Sequence, residues 1–194
     1  MVAAKEHYYM SPEEYLEWEE KQPLKYEYMD GEVYAMTGGT IPHAAIALNL
    51  ASMLKNHLRG KGCKILMSDA KVQVSEKGPY HYPDVIVSCD ERDKKAMKFI
   101  QYPCLIVEVL SPSTEGFDRG KKFRNYRKIE TLKEYVLVSA EQKLIEYFRV
   151  NDKGIWELYS FAENAELRLT SVDFNCPVEF IYEDVLLIDE TENE

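Results

Sequence analysis

Two carboxylates stand where carboxylates are costly. Glu108 sits in the middle of the apolar run "LIVEVL", and Asp84 opens another at "YPDVIV". Runs of this length and β-branched content read as buried strands. An acid inside one is penalised unless something compensates its charge. If the two strands are neighbours, both carboxylates converge on one cation. Mg²⁺ takes oxygen ligands, commonly one or two carboxylates with waters and substrate phosphates. A divalent ion there would offset the repulsion between the acids, activate water and stabilise charge on a phosphoryl group. The plain alternatives are an Asp84 hydrogen-bonded to backbone at a strand end and a Glu108 paired with a buried lysine or arginine.

A basic segment follows. "FDRGKKFRNYRKIE" holds Arg119, Lys121, Lys122, Arg124, Arg127 and Lys128 within ten residues. On a helix over about 118–130, Phe123, Tyr126 and Ile129 form one stripe toward the core, and Lys122 falls within it. Lys121, Arg124 and Lys128 fall on the opposite side. Lys122 is therefore the lysine directed inward, one turn before Tyr126. An inward ammonium near two acids can orient a water nucleophile or stabilise developing negative charge. A plain Lys122–Glu108 ion pair or a snorkelling lysine fits the periodicity equally well. Asp118 reads as the N-cap of this helix, and Tyr126 as core.

Several elements must position these groups. "SPEEYLEWEE" predicts a short helix capped by Ser11, with Pro12 in its first turn, Glu14 completing a capping box, and Tyr15, Leu16 and Trp18 on its apolar side. "LKYEYMDGEVYAMT" predicts a hairpin turning at Asp30-Gly31, with Tyr28/Val33 and Tyr26/Ala35 paired and Glu27 on the other face, opposite Tyr34. "IPHAAIALNLASMLKNHLRG" predicts the longest helix, with a stripe of Ile46, Leu50, Met53, Leu54 and Leu58. Strands are expected at "KILMSD", "AKVQVS", "PDVIVS", "CLIVEVL", "EYVLVS", "KLIEYFRV", "GIWELYSF" and "LRLT", with "EKGPYHY" a turn and "VEFIYEDVLL" a short last helix. The order of helix, strands, helix and strand predicts one mixed α/β domain over 1–194, frayed at 1–9 and 189–194.

The 194 residues carry a formal net charge of −10. That argues against a generally nucleic-acid-adhesive surface but leaves room for a local basic groove. Cys63, Cys89, Cys104 and Cys176 fit no zinc or redox spacing, and the apolar flanks of Cys89 and Cys104 predict buried free thiols. No stretch is long enough to span a bilayer and the N-terminus has no apolar signal-like region, which predicts a cytoplasmic location.

The segments "YEYMDGEVYAM", "PHAAIALNL", "SDAKVQV", "YPDVIV", "LIVEVLSPST", "DRGKKFRNYRK" and "EYVLVS" occur in this order. Together they resemble the Uma-two family of bacterial endonuclease-like proteins, within the PD-(D/E)XK nuclease superfamily. The resemblance runs from about residue 10 to residue 187. It implies a restriction-endonuclease-like core, a mixed central sheet flanked by helices, with the N-terminal helix and hairpin appended. Pro83-Asp84 matches the Pro-Asp half of the superfamily motif, and Glu108 matches its acid. The motif's lysine position holds Leu110, and the resemblance places the lysine on the following helix at Lys122. It further implies Mg²⁺, or Mn²⁺, on Asp84 and Glu108, and adds Glu27, His43 and Asp69 as secondary site residues. Plainer roles compete for these three: a solvated hairpin residue, an uncharged histidine at a helix N-terminus, and a turn residue.

The expected function is hydrolysis of phosphodiester bonds in DNA by Asp84, Glu108 and Lys122, and a homodimer could place two basic patches along one duplex. Lys121, Arg124 and Lys128, together with Lys94, Lys95 and Lys98, would supply phosphate contacts. The alternative is a binding or assembly module that keeps the nuclease fold without catalysis. A two-carboxylate glycosidase explains neither the inward lysine nor the basic helix.

Overall fold

The computed structural model describes residues 9–187. Apart from Tyr9, the ends expected to fray lie outside them. Helix α1 (Pro12–Glu19) opens with the expected capping box: Ser11 accepts from the Glu14 backbone N–H, and the Glu14 carboxylate accepts from the Ser11 N–H. Strands β1 (Tyr26–Met29) and β2 (Glu32–Ala35) form the hairpin in the expected register, Tyr28 opposite Val33 and Glu27 opposite Tyr34. Asp30 and Gly31 both take positive φ, 52° and 89°, as a two-residue hairpin turn requires. Helix α2 (Ile41–His57) buries Ile46, Ala47, Leu50, Ala51 and Leu54, and Leu58 just beyond its end. Met53 is only partly buried.

Six strands make the central sheet: β3 (Lys64–Met67), β6 (Val85–Ser88), β8 (Leu105–Leu110), β9 (Glu134–Ser139), β10 (Leu144–Val150) and β11 (Trp156–Ala162), in the spatial order β11-β10-β9-β8-β6-β3. It is mixed, as expected, because β8 and β9 run parallel and the other pairs antiparallel. All six residues of β8 are buried, which explains why "LIVEVL" reads as continuous rather than alternating. Alternation persists by face. Leu105, Val107 and Val109 join the core beneath α2, whereas Ile106 and Leu110 join Phe123, Tyr126 and Tyr135 on the other side. Glu108 shares the parity of Ile106 and Leu110, so it faces that second core.

A second sheet was not resolved by sequence reading. Strands β4 (Lys71–Gln73), β5 (Tyr80–His81) and β7 (Phe99–Ile100) join the hairpin in the order β2-β1-β5-β4-β7. The expected turn at "EKGPYHY" is thus corrected at its end, because Tyr80 pairs with Tyr28 and His81 with Val72. The expected helix over 118–130 begins earlier and ends earlier. It runs as α3 (Glu115–Phe117), a π-helical segment (Asp118–Lys122) and α4 (Phe123–Tyr126), with Ile129 buried beyond its end. Strands β12 (Glu166–Leu169) and β13 (Phe174–Pro177) form a hairpin that lies with the short α5 (Val178–Ile181) over the α2 side. The fully buried Glu134 on β9 fastens that hairpin: it accepts from Tyr147, from the Thr170 N–H at 2.7 Å and hydroxyl at 2.9 Å, and from Ser171.

Cys89 is not a free thiol. It forms a disulfide with Cys63, because Lys64 pairs with Ser88 across the antiparallel β3 and β6, which sets the residue before Lys64 opposite the residue after Ser88. Cys104 and Cys176 are free, and burial pushes their thiols up to about 11 and about 12. The bridge closes a 26-residue separation. Its loss is expected to cost about 3 kcal/mol, or roughly 6–12 °C in melting midpoint. Thermal melts of the wild type with and without reductant, against a Cys63→Ser/Cys89→Ser double variant, check this. The variant should ignore reductant.

Candidate active site

The register of the central sheet brings the acids together. Val85 on β6 pairs with Val107 on β8, so Asp84, one step before β6, lies across from Glu108. The Asp84 carboxylate is fixed to the neighbouring strand by the Val109 N–H, 2.7 Å from Oδ2. Both acids line a cleft of about 490 Å³, together with residues of the 36–39 loop, the start of α2, Ser111–Thr114 and the helical run.

Lys122 reaches the cleft as the helical periodicity predicts. Its ammonium is buried and lies 2.9 Å from Glu108 Oε1, 3.2 Å from Glu27 Oε1 and 3.5 Å from Asp118 Oδ1. Tyr126 is fully buried core, yet its hydroxyl also donates to Glu108 Oε1 at 3.1 Å. Glu27 arrives from β1. The hairpin therefore carries a charged group to the site as well as closing the second sheet.

Asp118 is the residue that the sequence reading misplaced. It is no N-cap: the helical run starts at Glu115, so Asp118 lies inside it, buried, one turn before Lys122. Its i,i+4 spacing to Lys122 was the available signal. His43 faces Asp84 from the start of α2. Its Nε2 lies 3.3 Å from Asp84 Oδ2. Burial works against the imidazolium, but the hydrogen bond and charge of Asp84 outweigh it and raise His43 above its ordinary value. Asp69 stands apart. Its side chain is 88% exposed and pairs with Lys25, which itself lines the cleft. Lys121, Arg124 and Lys128 lie on the exposed side of the helical run, as the periodicity predicts. Lys121 approaches Asp30 at 3.5 Å, and none of the three lines the cleft.

One ammonium serves several acids unequally. Burial raises Glu27, but the charge of Lys122 and the hydrogen bonds from His81 and the Tyr82 N–H overcome it and hold Glu27 below the usual carboxylate range. Glu108 goes the other way. Burial dominates, and the charges of Asp118 and Asp84 add to it, so Glu108 lies well above the usual carboxylate range despite Lys122. Burial likewise raises Asp118. Four acidic side chains, Glu27, Asp84, Glu108 and Asp118, thus meet one lysine and one histidine. This surplus suits a divalent cation. Among the described residues no group of three or more His, Cys, Asp or Glu side chains is arranged to hold a metal ion. Asp84 and Glu108, opposite each other on neighbouring strands, are the candidate donors, a two-carboxylate set of the kind Mg²⁺ takes together with waters and substrate oxygens.

Among the described residues no helix is long and apolar enough to cross a membrane. The profile of the Uma2 family, described as "Putative restriction endonuclease", matches residues 12–179. Two uncharacterised proteins of Synechocystis sp. are similar to the chain. One is 47% identical over 173 residues, covering 89% of this chain and 91% of that protein; the other is 34% identical over 161 residues, covering 81% and 90%. Among solved structures, a putative nuclease belonging to DUF820 from Anabaena variabilis superposes with a TM-score of 0.75 at 16% identity, covering 91% of this chain and 99% of that one. That likeness supports the mixed α/β, nuclease-like fold.

Proposed function

We propose that this chain, which belongs to the Uma2 family of putative restriction endonucleases, hydrolyses phosphodiester bonds in DNA with Mg²⁺ or Mn²⁺ held by Asp84 and Glu108. The observation that carries this reading is the surplus of buried carboxylate around one buried ammonium at the floor of an open cleft. When bound, the cation would supply a polarised phosphoryl oxygen and an acidified water. The Val109 N–H fixes Asp84, and β8 holds Glu108 on a rigid strand, so the donor pair is set before substrate arrives. Lys122 presents an ammonium beside Glu108, where it orients a water nucleophile or stabilises negative charge developing on the phosphoryl group. Tyr126 restrains the Glu108 carboxylate from beneath.

Plasmid and single-stranded DNA incubated with Mg²⁺ or Mn²⁺, with calorimetric titration of the metal alone, test this reading. Cleavage together with metal binding is expected. Neither cleavage nor metal binding would overturn it in favour of a binding or assembly module, for which the existing Lys122–Glu108 and His43–Asp84 pairs would be purely structural.

DNA would reach the cleft past Lys25 at its mouth, with Arg124 and the neighbouring basic residues on the outer helical face holding phosphates. A homodimer would set two clefts along one duplex. Arg124→Ala is expected to weaken DNA binding uniformly across sequences and to reduce the slope of log K against log salt by about 1. Fluorescence anisotropy over a salt series reads this, and a binding constant indifferent to salt would rule out the phosphate-contact model.

A further inference from the structure

His81 is fully buried between β1 and α4, and it is absent from the chemistry above. Its Nδ1 lies 2.9 Å from Glu27 Oε2, and its Nε2 lies 3.2 Å from Asn125 Nδ2. The other contacts of Asn125 orient its amide. Asn125 Oδ1 accepts from Lys128 Nζ at 3.2 Å, and an ammonium can only donate. Asn125 Nδ2 also faces Met29 Sδ at 3.8 Å, a weak acceptor. The amide nitrogen therefore points inward and donates to His81 Nε2. An imidazole nitrogen that accepts carries no proton, so the proton sits on Nδ1 and is donated to Glu27.

Glu27 is then committed at both oxygens. Oε2 takes the His81 N–H; Oε1 takes the Tyr82 N–H at 3.0 Å and the Lys122 ammonium at 3.2 Å. A carboxylate so held cannot rotate away from a lysine whose four-carbon stem is flexible. We propose that His81 is a positioning residue, held by Asn125 as the Nδ1-protonated neutral imidazole, and that through Glu27 it sets where the Lys122 ammonium stands relative to Glu108. The proposal rests on Lys122 being the working ammonium of the site. It also gives Lys128 a role distinct from phosphate binding, as the outer anchor of the chain Lys128–Asn125–His81–Glu27–Lys122.

Nitrogen-15 NMR of the histidine- and lysine-labelled full-length protein tests this without any activity. His81 is expected to show a protonated Nδ1 and a bare Nε2; an Nε2-protonated ring or an imidazolium at neutral pH would overturn the proposal. Asparagine at this position places its amide nitrogen near the Nδ1 site, whereas glutamine reaches toward the Nε2 site. The Lys122 Nζ signal should therefore shift in His81→Gln and return toward its original place in His81→Asn. In Mg²⁺-supported cleavage, His81→Gln is expected to lose about 10–100-fold in kcat with KM held, and His81→Asn to recover most of it. Equal losses in both variants, with an unmoved Lys122 signal, would reduce His81 to a packing residue. A wild type that cleaves nothing would refute the nuclease reading, while the NMR result would still decide this one.

Discussion

Lys122→Met is expected to lose cleavage by about 10²–10³-fold and to be the most destabilising single change at the cleft. The ammonium it removes lies within 3.5 Å of Glu27, Glu108 and Asp118, and all of them are buried. Breaking a buried pair by deleting one partner leaves uncompensated charge, at about 3–5 kcal/mol. The sign follows from the lysine's own equilibrium. Burial opposes the charge of Lys122, but Glu108, Glu27 and Asp118 outweigh it and raise its pKa well above the ordinary value. Its contribution is therefore fully present below the unfolded lysine value and disappears only in strong alkali. At neutral pH the variant loses all of it. The deficit should narrow on acidification, as Glu108 and Asp118 take up protons and no longer need the ammonium. Urea denaturation at pH 7 and pH 5, beside a plasmid-nicking assay, reads both effects. Cleavage at the wild-type rate would remove Lys122 from the mechanism.

Glu108→Gln should do the reverse to stability while also abolishing function. The carboxylate of Glu108 is ionised at a cost, because burial and the charges of Asp118 and Asp84 together raise its pKa despite Lys122. A carboxyl whose folded pKa lies above its unfolded value contributes stability below the unfolded value, about 4.3, and that contribution is lost as pH rises through the folded one. Glu27, held below the usual carboxylate range, acts in the opposite sense, and its window lies below that of Glu108. The wild-type protein without metal should thus lose stability as pH climbs above about 4.3, and added Mg²⁺ should restore it. The glutamine keeps the shape and cannot ionise. Glu108→Gln is expected to fold at least as stably as the wild type at pH 7, with a flat response to Mg²⁺ and no calorimetric metal binding. Cleavage should fall by at least about 10²-fold. A large stability loss that Mg²⁺ does not alter would instead mean that Glu108 and Lys122 are simply a structural ion pair.

Features set by neighbouring residues were the legible ones. The Asp30-Gly31 turn and the alternation around it determine the hairpin register, and Glu27 follows as the residue facing away from Tyr26 and Tyr28. Helical spacing separates Lys122 from Lys121, Arg124 and Lys128 without knowledge of what lies inside. Features set by distant partners were not legible. Asp118 reads as an N-cap because it opens the basic run, whereas the helical run already begins at Glu115. Tyr80 and His81 look like the end of a loop until Tyr28 and Val72 are brought alongside them. Cys89 acquires a partner only through the β3–β6 register. The same holds for the second sheet, whose short strands carry too few residues to show a period.

The π-helical segment Asp118–Lys122 accommodates one residue more per turn than the surrounding α-helix needs. Such a segment behaves as an insertion that has been kept. Removing a single residue from it, Gly120 for instance, would let the run close into regular helix with better backbone hydrogen bonds. The cost would fall on orientation, because each residue of an α-helix turns the chain by about 100°. Everything before the deletion would swing by that angle relative to everything after it. Lys122 and the Phe123–Tyr126 face could not both keep their places while Asp118 kept its own. A lineage that shortened this segment would gain a tidier helix and lose the convergence of charges at the cleft, so the number of residues here is as much a part of the site as their identity.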